Sequence, residues 1–520
     1  MRSSVVLIGI LLAAIIYVFY ETSYQSMKSR SSSHRQQGFV NLLTTRFDFK
    51  NKPLEDLSYT SFNKSNDTQV FIRAVQTYAS NGLIVIASFD FTYAAMAMNL
   101  FLTSYKRFNI TNHLFVASDS LGCGKIEPYG AHCIQYLNMK KAKAPSIYNS
   151  RDYNIKACVK PRIILECLNT GLDVLLVDLD IVFLKNPLSY FQYCQDCDVI
   201  TQYDSAGKQI NSGFFLVRNT RRAIHLFEQV VKMIPSKPVG DQVYMNRAAR
   251  KLGKKIKIHH LPGELFQLGN VFFTQGHRIF IGDNPCNECV LVHNNYIVSL
   301  EAKIYRFKEY GLWVVDEHGY YSDSDRKYII YDNPIQFNHN EKYKGFDTKK
   351  MELMSLKAAF VIGRILNRTV ILPKFHCQGA NGYKPLTGQM CHFGTHYSVR
   401  KFESYLPVLT TYREHVFLEH PLVPKMIKES KSETFLIYGP LWQHPDRGLS
   451  SHPDSVNVLK PKGDRVLSTE IRKWFLSKSS PILVFHSLYN EFDTDNKEVS
   501  DMLDVLSKAI KNTDFMQLRQ

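Results

Sequence analysis

Short apolar runs that alternate with helix-like segments are the feature that most restricts the fold of this chain. The wholly apolar runs predict strands covered on both faces, and their alternation with helices predicts an α/β sheet. We expect this first α/β domain to span residues 82–332. The strands and helices on which it rests are predicted at 83–87, 93–106, 114–117, 161–169 and 173–177.

The remainder of the chain predicts a second, smaller α/β domain at 333–520. An amphipathic helix over 351–366 is followed at once by a strand over 369–372, and another short apolar strand lies at 481–485. A helix followed by a strand is a general packing unit, so this pattern indicates an architecture without indicating a role. We predict no active site in this domain.

One segment near the N-terminus is apolar enough to enter a bilayer. Residues 5–20 form an uninterrupted apolar run, which predicts a single signal-anchor helix with a cytosolic tail at 1–4. The polar segment 21–81 is expected to be a stem. A cleaved signal peptide is the alternative, although no small-residue cleavage site follows the run. Three basic residues downstream (Lys28, Arg30 and Arg35) outnumber Arg2 and oppose this orientation.

The composition excludes some classes of protein and leaves others open. An apolar fraction of 45% and a charged fraction of 21% exclude bulk disorder. The formal net charge of +17 suits polyanionic partners, among them nucleic acid, anionic lipid and the diphosphate of a nucleotide. No nucleic-acid-binding motif occurs, so no nucleic-acid partner is expected.

Ten cysteines and four glycosylation sequons favour a lumenal chain. An even number of cysteines predicts up to five disulfides whose pairing the sequence does not fix. The two CxxC pairs, at 194–197 and 286–289, have zinc binding as their alternative. In the C-terminal cluster of His376, Cys377, Cys391, His392 and His396, a Cys377–Cys391 disulfide is favoured over zinc. The sequons lie at Asn63, Asn66, Asn109 and Asn367.

The motif Asp178-Leu-Asp180 is the sharpest chemical feature. A buried strand leads directly into it, and side chains two residues apart on an extended segment point the same way. Two carboxylates placed together repel unless protons or a cation intervene. A hard divalent cation with oxygen ligands answers this repulsion at the carboxyl end of a strand, where α/β sheets bind ligands. Two solvated carboxylates are the alternative.

Three further segments fit the same site. Asn211-Ser-Gly213 opens a strand, and its glycine allows close approach of the backbone. Asp241-Gln242 precedes a helix, where Asp241 could instead serve only as the N-cap. His293 follows a short strand and is either a metal ligand or a hydrogen-bonded structural residue.

Two basic residues lie just upstream of the Asp-x-Asp strand. Lys160 and Arg162 could contact phosphate, although solvated side chains are the commoner outcome for such residues.

Four motifs together resemble the nucleotide-diphospho-sugar transferase domain of glycosyltransferase family 77. The resemblance covers roughly residues 83–318. In chain order, the motifs are VDLDIVFLKNP, INSGFFLVRNT, VGDQVYMN and LVHNNYIVSLEAKIYRFKEYGLW.

The resemblance implies a GT-A fold, a UDP-sugar donor, Mn²⁺ (or Mg²⁺) and retention of anomeric configuration. Carried over residue by residue, it implies that Asp178, Asp180 and His293 are metal ligands. It also implies that Asp241 and Gln242 are catalytic or acceptor-side residues. The fold class expected is therefore a GT-A-like mixed sheet with a Rossmann-type half, joined to the second α/β domain.

The function predicted from these observations is glycosyl transfer in the Golgi. A UDP-sugar, a glycan or glycoprotein acceptor and the membrane around the anchor are the expected partners. The ER membrane and secretion are less favoured locations. A catalytically silent, lectin-like or scaffold protein of the secretory pathway is the alternative function, against which the intact Asp178, Asp180 and His293 argue.

Overall fold

The structure is a computed structural model that describes ten segments of the chain. They are residues 68–119, 121–136, 145–204, 207–235, 238–275, 286–332, 348–377, 390–438, 456–486 and 488–510. The predicted anchor at 5–20 and most of the predicted stem lie outside these residues. Among the helices described, none has the length and apolarity needed to cross a bilayer. Every element discussed below belongs to one compact unit, Pro53–Leu418 with Val423–Gln520.

Helices and strands alternate through most of the described chain, as the apolar periodicity predicts. The α-helices are α1 Thr68–Tyr78, α2 Ala94–Leu100, α3 Cys123–Ile126, α4 Arg151–Ala157, α5 Lys160–Leu168, α6 Arg221–Met233, α7 Asp241–Leu252, α8 Leu300–Glu309, α9 Thr348–Leu366, α10 Phe393–His396, α11 Val399–Tyr405, α12 Val408–Thr411, α13 Lys425–Glu429, α14 Ser468–Phe475 and α15 Lys497–Ile510. A π-helical segment, Phe101–Lys106, extends α2 and completes the helix predicted over 93–106.

The strands form three main sheets and one short two-stranded sheet. They are β1 Leu83–Phe89, β2 His113–Ala117, β3 Cys133–Gln135, β4 Asp173–Val177, β5 Ile181–Phe183, β6 Val199–Asp204, β7 Gly207–Val217, β8 Ile258–His260, β9 Phe266–Leu268, β10 Leu291–His293, β11 Tyr328–Asp332, β12 Thr369–Ile371, β13 Phe375–His376, β14 Met390–Cys391, β15 Tyr412–Arg413, β16 Lys431–Ile437, β17 Val456–Leu459 and β18 Ile482–His486.

The first sheet is mixed and has seven strands in the order β3-β2-β1-β4-β7-β6-β8. The strands β3, β2, β1 and β4 run parallel, so their carboxyl ends lie along one edge. Strands β6 and β7 form a hairpin, and β7 pairs antiparallel with β4. Apolar side chains of β1, β2, β4 and β7 pack against helices α1, α5, α6 and α7 in a continuous core. The expected mixed α/β sheet is confirmed.

A small second sheet lies directly after the Asp-x-Asp motif. Its order is β5-β10-β9, and Ile181 of β5 is the cross-strand partner of His293 in β10. This pairing explains how two motifs more than 110 residues apart in sequence reach the same place. The apolar run after Asp180 is needed because β5 is fully buried.

The third sheet contains six strands in the order β15-β12-β11-β18-β16-β17, and every pairing in it is parallel. One face packs against α9, α14 and α15 around a second apolar core. This core also includes Ala302 and Tyr305 from α8. The division into domains at residue 332 stays a prediction, since α8 contributes to the core of the later sheet.

The cysteines of the described segments form four disulfides. Both CxxC pairs are closed as Cys194–Cys197 and Cys286–Cys289, and Cys377 is bonded to Cys391 as expected. A fourth bond joins Cys123 to Cys133. The upper limit of five is not reached, because Cys158 and Cys167 are free thiols buried in the first core.

Candidate functional site

The Asp-x-Asp motif lies at the carboxyl edge of the first sheet. Strand β4 ends at Val177, Leu179 and Asp180 form a turn, and β5 begins at Ile181. The backbone N–H of Asp178 donates to the carbonyl of Gly213 (2.7 Å), which extends the β4–β7 pairing into the turn. Asp178 is half-buried and Asp180 is buried, so the second carboxylate faces the interior.

His293 completes a cluster of three potential metal ligands. One ligand atom from each of Asp178, Asp180 and His293 lies within 4.8 Å of the others. The Nε2 atom of His293 is 3.4 Å from Oδ1 of Asp180. Two carboxylates and one imidazole at this separation form a donor set suited to Mn²⁺ or Mg²⁺.

Gln202 determines which nitrogen of His293 faces this cluster. Its side-chain oxygen lies 2.9 Å from Nδ1 of His293 and accepts the hydrogen there. The NH₂ group of the same amide donates to the carbonyl of Phe266 (3.0 Å). Exchanging the oxygen and nitrogen of Gln202 would break this hydrogen bond. Nε2 is therefore the unprotonated nitrogen and carries the lone pair that a cation needs.

Gly213 provides the space for the imidazole. A Cβ atom at this position would lie 2.4 Å from Cε1 of His293 and 2.9 Å from Oδ2 of Asp178. The glycine predicted to allow close approach is required by the site itself. Asn211 supports the same stretch of β7, because its side-chain oxygen accepts from the backbone N–H of Gly213 (2.9 Å).

Lys160 is the first of two lysines that neutralise the carboxylates. Its ammonium group is 3.0 Å from Oδ1 of Asp178 and 3.0 Å from Oδ2 of Asp241. Burial alone would lower the pKa of Lys160, but the charges of Asp178 and Asp241 outweigh it and raise that pKa. Lys160 therefore remains protonated and joins the Asp-x-Asp motif to Asp241.

Lys303, on α8, is the second lysine that neutralises a carboxylate of this cluster. Its ammonium group is in direct contact with Oδ2 of Asp180. Burial would raise the pKa of Asp180, but the charge of Lys303 outweighs it and holds that pKa well below its usual range. The expected repulsion between the two carboxylates is thus already answered by protein cations.

Asp241 and Gln242 border the cluster. Asp241 is the first residue of α7 rather than its cap, since Gly240 occupies the N-cap and makes no side-chain bond, so the N-cap alternative is excluded. Oδ1 of Asp241 is 3.3 Å from the hydroxyl of Ser212. Burial raises the pKa of Asp241, and Lys160 opposes that effect.

Gln242 links the cluster to a neighbouring polar group. Its side-chain oxygen accepts from the backbone N–H of Ser212 (3.1 Å), and its NH₂ group donates to Asp204 (2.5 Å). Asp204 also accepts from the hydroxyl of Tyr296 (2.7 Å). Asp204, Gln242 and Tyr296 therefore form a hydrogen-bonded row beside the three potential metal ligands.

Arg162 is the predicted site residue that the structure does not bring to the cluster. It is exposed on α5, and it acts electrostatically on Tyr136 and Glu166. A phosphate contact for Arg162 stays a prediction without support from this geometry. Lys160, two residues earlier, is buried and faces the carboxylates.

Four contributors were missed by sequence reasoning: Gln202, Ser212, Lys303 and Tyr153. Tyr153 lies near Lys160 and Asp241, and burial raises its pKa. Alternation along β6 places Gln202 and Asp204 on one face, although this pattern does not say what that face contacts. Lys303 belongs to the fourth motif quoted above, where only His293 was singled out.

Comparison with known proteins agrees with this arrangement. Residues 109–307 match a family model described as nucleotide-diphospho-sugar transferase. This segment is therefore similar to nucleotide-diphospho-sugar transferase domains. The resemblance noted from the four motifs is confirmed for this segment, and so is the prediction that the chain is a glycosyltransferase.

Three curated relatives show how far the similarity of the transferase domain reaches. A UDP-D-xylose:L-fucose alpha-1,3-D-xylosyltransferase of Arabidopsis thaliana is 23% identical over 269 residues, which cover 47% of this chain and 74% of that protein. An arabinosyltransferase of the same organism is 25% identical, over 50% of this chain and 48% of its own length. A UDP-galactose:fucoside alpha-3-galactosyltransferase of Dictyostelium discoideum is 27% identical, over 30% and 28% respectively.

Proposed function

We propose that this protein transfers a sugar from a UDP-sugar to a glycan or glycoprotein acceptor, with Mn²⁺ or Mg²⁺ bound at Asp178, Asp180 and His293. The proposed domain is of GT-A type, spans 82–332 and retains anomeric configuration. The proposed location is the Golgi lumen, with the chain anchored by residues 5–20. The convergence of the three ligand side chains at the carboxyl edge of β4 is the observation that carries this proposal.

The residues of the cluster fit a divalent cation by two independent features. The hydrogen bond from His293 to Gln202 leaves Nε2 as the ligating nitrogen. The absence of a side chain at Gly213 keeps open the space between His293 and Asp178. Neither feature is needed by a pair of solvated carboxylates, so the metal-ligand interpretation is favoured over that alternative.

A bound divalent cation would act as a Lewis acid for the departure of the nucleotide diphosphate. Lys160 and Lys303 place two ammonium groups against the same carboxylates. This fixed positive charge stabilises the negative charge that develops on the leaving group, and the lysines need not reorganise during the reaction. The relatives named as users of UDP-xylose and UDP-galactose support a UDP-sugar as the donor.

Asp241 and Gln242 are proposed to face the sugar and its acceptor. Asp241 is held by Lys160 and Ser212, and Gln242 is held by Ser212 and Asp204, so both side chains are oriented before any ligand binds. Orientation of this kind reduces the entropy lost when substrates are brought into reacting geometry. The row of Asp204, Gln242 and Tyr296 offers hydrogen-bonding groups that suit carbohydrate hydroxyls.

The direct test is release of nucleotide from a panel of UDP- and GDP-sugars by the purified chain from about residue 40, with Mn²⁺ or with EDTA. We expect release from a UDP-sugar only when the metal is present. Absence of release from every donor, together with absence of protection by UDP against thermal unfolding, would contradict the proposal and favour a silent scaffold.

A further inference from the structure

The third sheet has a topology that creates a ligand crevice of its own. From β11 the chain proceeds outward through β12 to β15 on one side, and then to β16 and β17 on the other side. The strand order therefore reverses next to β11, where β18 is inserted. In open parallel sheets, ligands bind outside the carboxyl ends of the strands at such a reversal.

A histidine and a carboxylate meet at this reversal. Asp332 and His486 are the last residues of β11 and β18 and are partners in the β-ladder. Nδ1 of His486 is 2.9 Å from Oδ2 of Asp332. This hydrogen bond fixes the plane of the imidazole at the rim, where the carboxylate is more than half exposed and the histidine is partly exposed.

The helix that follows β11 brings positive charge to the same edge. Helix α9 has 19 residues, and exposed Lys349 and Lys350 lie in its first turn. The first turn of a helix directs backbone N–H groups and the positive end of the macrodipole toward an anion. In parallel sheets of this type, the phosphates of a nucleotide lie at the N-terminus of the helix after the first strand.

Two buried polar atoms near this edge lack a partner among the described residues. The hydroxyl of Tyr331, the residue before Asp332, is buried without a hydrogen bond. The side-chain oxygen of Asn490, four residues after His486, is also buried without a hydrogen bond. The NH₂ group of the same side chain donates to the carbonyl of Tyr438 (3.2 Å). Unsatisfied buried groups are costly, and these two belong to β11 and to the segment after β18, so they point to a ligand that bonds with them.

A buried pair, Glu352 and His376, lies near Tyr331. Oε1 of Glu352 accepts from the backbone N–H of His376 (2.8 Å) and lies 2.8 Å from its Nδ1. Burial raises the pKa of Tyr331, and the nearby charge of Glu352 adds to this effect. Buried polar groups therefore accompany the apolar side chains at the carboxyl end of β11.

We propose that the carboxyl edge of the third sheet, at Asp332, His486 and the first turn of α9, is a second binding site for the diphosphate and ribose of a nucleotide. The lysines and the N-terminus of α9 suit the phosphates, and the carboxylate of Asp332 suits ribose hydroxyls. The site is separate from Asp178, Asp180 and His293, and the inference does not depend on the activity proposed for them.

The test is calorimetric titration of the full chain with UDP, GDP and ADP in EDTA. The variant Asp178→Ala/Asp180→Ala removes the first site from the measurement. We expect one molar equivalent of at least one nucleotide to bind this variant. Adding Lys349→Gln/Lys350→Gln, or His486→Ala, should weaken that binding about tenfold or more, as expected for lost charge-assisted hydrogen bonds.

Lys425→Gln, an exposed lysine on α13, is the matched control and should leave the binding unchanged. Asp332→Asn, at an exposed position, tests the same contact if His486→Ala fails to fold. Absence of nucleotide binding to the Asp178→Ala/Asp180→Ala variant overturns the proposal, as does binding that none of these substitutions alters. Metal-dependent donor release by the wild-type chain is measured separately, so failure of the second site is distinguishable from failure of the first.

Discussion

His293 can ligate a cation through Nε2 only while its proton resides on Nδ1, and Gln202 holds it there. Replacing Gln202 with Leu removes the acceptor and frees the tautomer. We expect Gln202→Leu to weaken Mn²⁺ activation about 10- to 100-fold, which is the usual effect of losing such an outer partner. The rate of donor release should recover substantially at saturating metal. A Mn²⁺ titration of donor release measures both quantities.

Gln202→Glu is the matched variant, because it retains an oxygen that accepts from Nδ1. It should keep tighter Mn²⁺ activation than Gln202→Leu. Equal losses in the two variants would show that the residue only fills space in the core.

Gly213 gives a second prediction at the scale of single atoms. Gly213→Ala would force a Cβ against His293 and Asp178, so the ligands must separate. We expect loss of metal-dependent release with a smaller change in thermal stability, measured by calorimetry and the donor assay together. Gly240→Ala is the control, because a Cβ there meets no atom within 4 Å. Full activity of Gly213→Ala would place the metal elsewhere.

Asp180→Ala is predicted to act on stability as well as on activity. The sequence alone suggests that removing one of two repelling carboxylates leaves the fold undisturbed. The structure shows Asp180 paired with Lys303, so its removal leaves Lys303 without this partner. We expect loss of Mn²⁺-dependent release by at least about 100-fold, together with a lower unfolding free energy, by up to about 3 kcal/mol.

Chemical denaturation and donor release measure these two effects separately. Retention of full Mn²⁺-dependent activity by a folded Asp180→Ala protein would contradict the site assignment.

At the scale of elements, the sequence was informative wherever a feature is local. The strand before Asp178 is recognisable because five neighbouring residues determine it, and the apolar part of β7 after Gly213 is recognisable for the same reason. Lys303 and Gln202 were not recognisable, because their roles depend on contacts with residues 123 and 91 positions away. The seven-stranded order likewise depends on the β6–β7 hairpin pairing with β4, which no local pattern encodes.

Helix α8 carries an acid whose ionisation should affect stability. Burial raises the pKa of Glu309 from 4.5 to about 8, and the backbone N–H of Gly394 opposes this as a donor to the carboxylate (3.0 Å). Between these two values the folded chain holds one more proton than the unfolded chain. The free energy of unfolding therefore falls as pH rises through that window.

Glu309→Gln removes this titration and keeps an acceptor for Gly394. We expect its unfolding free energy to fall less steeply with pH, by up to about 1.4 kcal/mol per pH unit between pH 5 and 8. Glu403, whose pKa burial raises to about 7, contributes with the same sign and remains in both proteins. Denaturant titrations across this range measure the difference, and parallel pH profiles would show that Glu309 ionises freely.

At the scale of the whole molecule, α8 connects the two sheets that the sequence assigns to separate domains. Lys303, near its start, contacts Asp180 of the Asp-x-Asp motif, and Glu309, at its end, accepts from the backbone N–H of Gly394 in α10. Ala302 and Tyr305 of the same helix are buried in the core of the third sheet. The surroundings of Asp180 therefore depend on a helix that also packs against the C-terminal region.

This shared helix predicts that the chain does not divide cleanly at residue 332. A fragment ending there would expose the face of Tyr305 and Ala302 and would loosen Lys303. Burying a side chain such as Tyr305 contributes roughly 2 kcal/mol, so the fragment should be less stable and slower in donor release than the full chain. Calorimetry should show one unfolding transition for the full chain. In the fragment this transition should be absent or have a lower melting temperature. A fragment with unchanged melting temperature and activity would show that 82–332 is an independent domain and that α8 gains nothing from the third sheet.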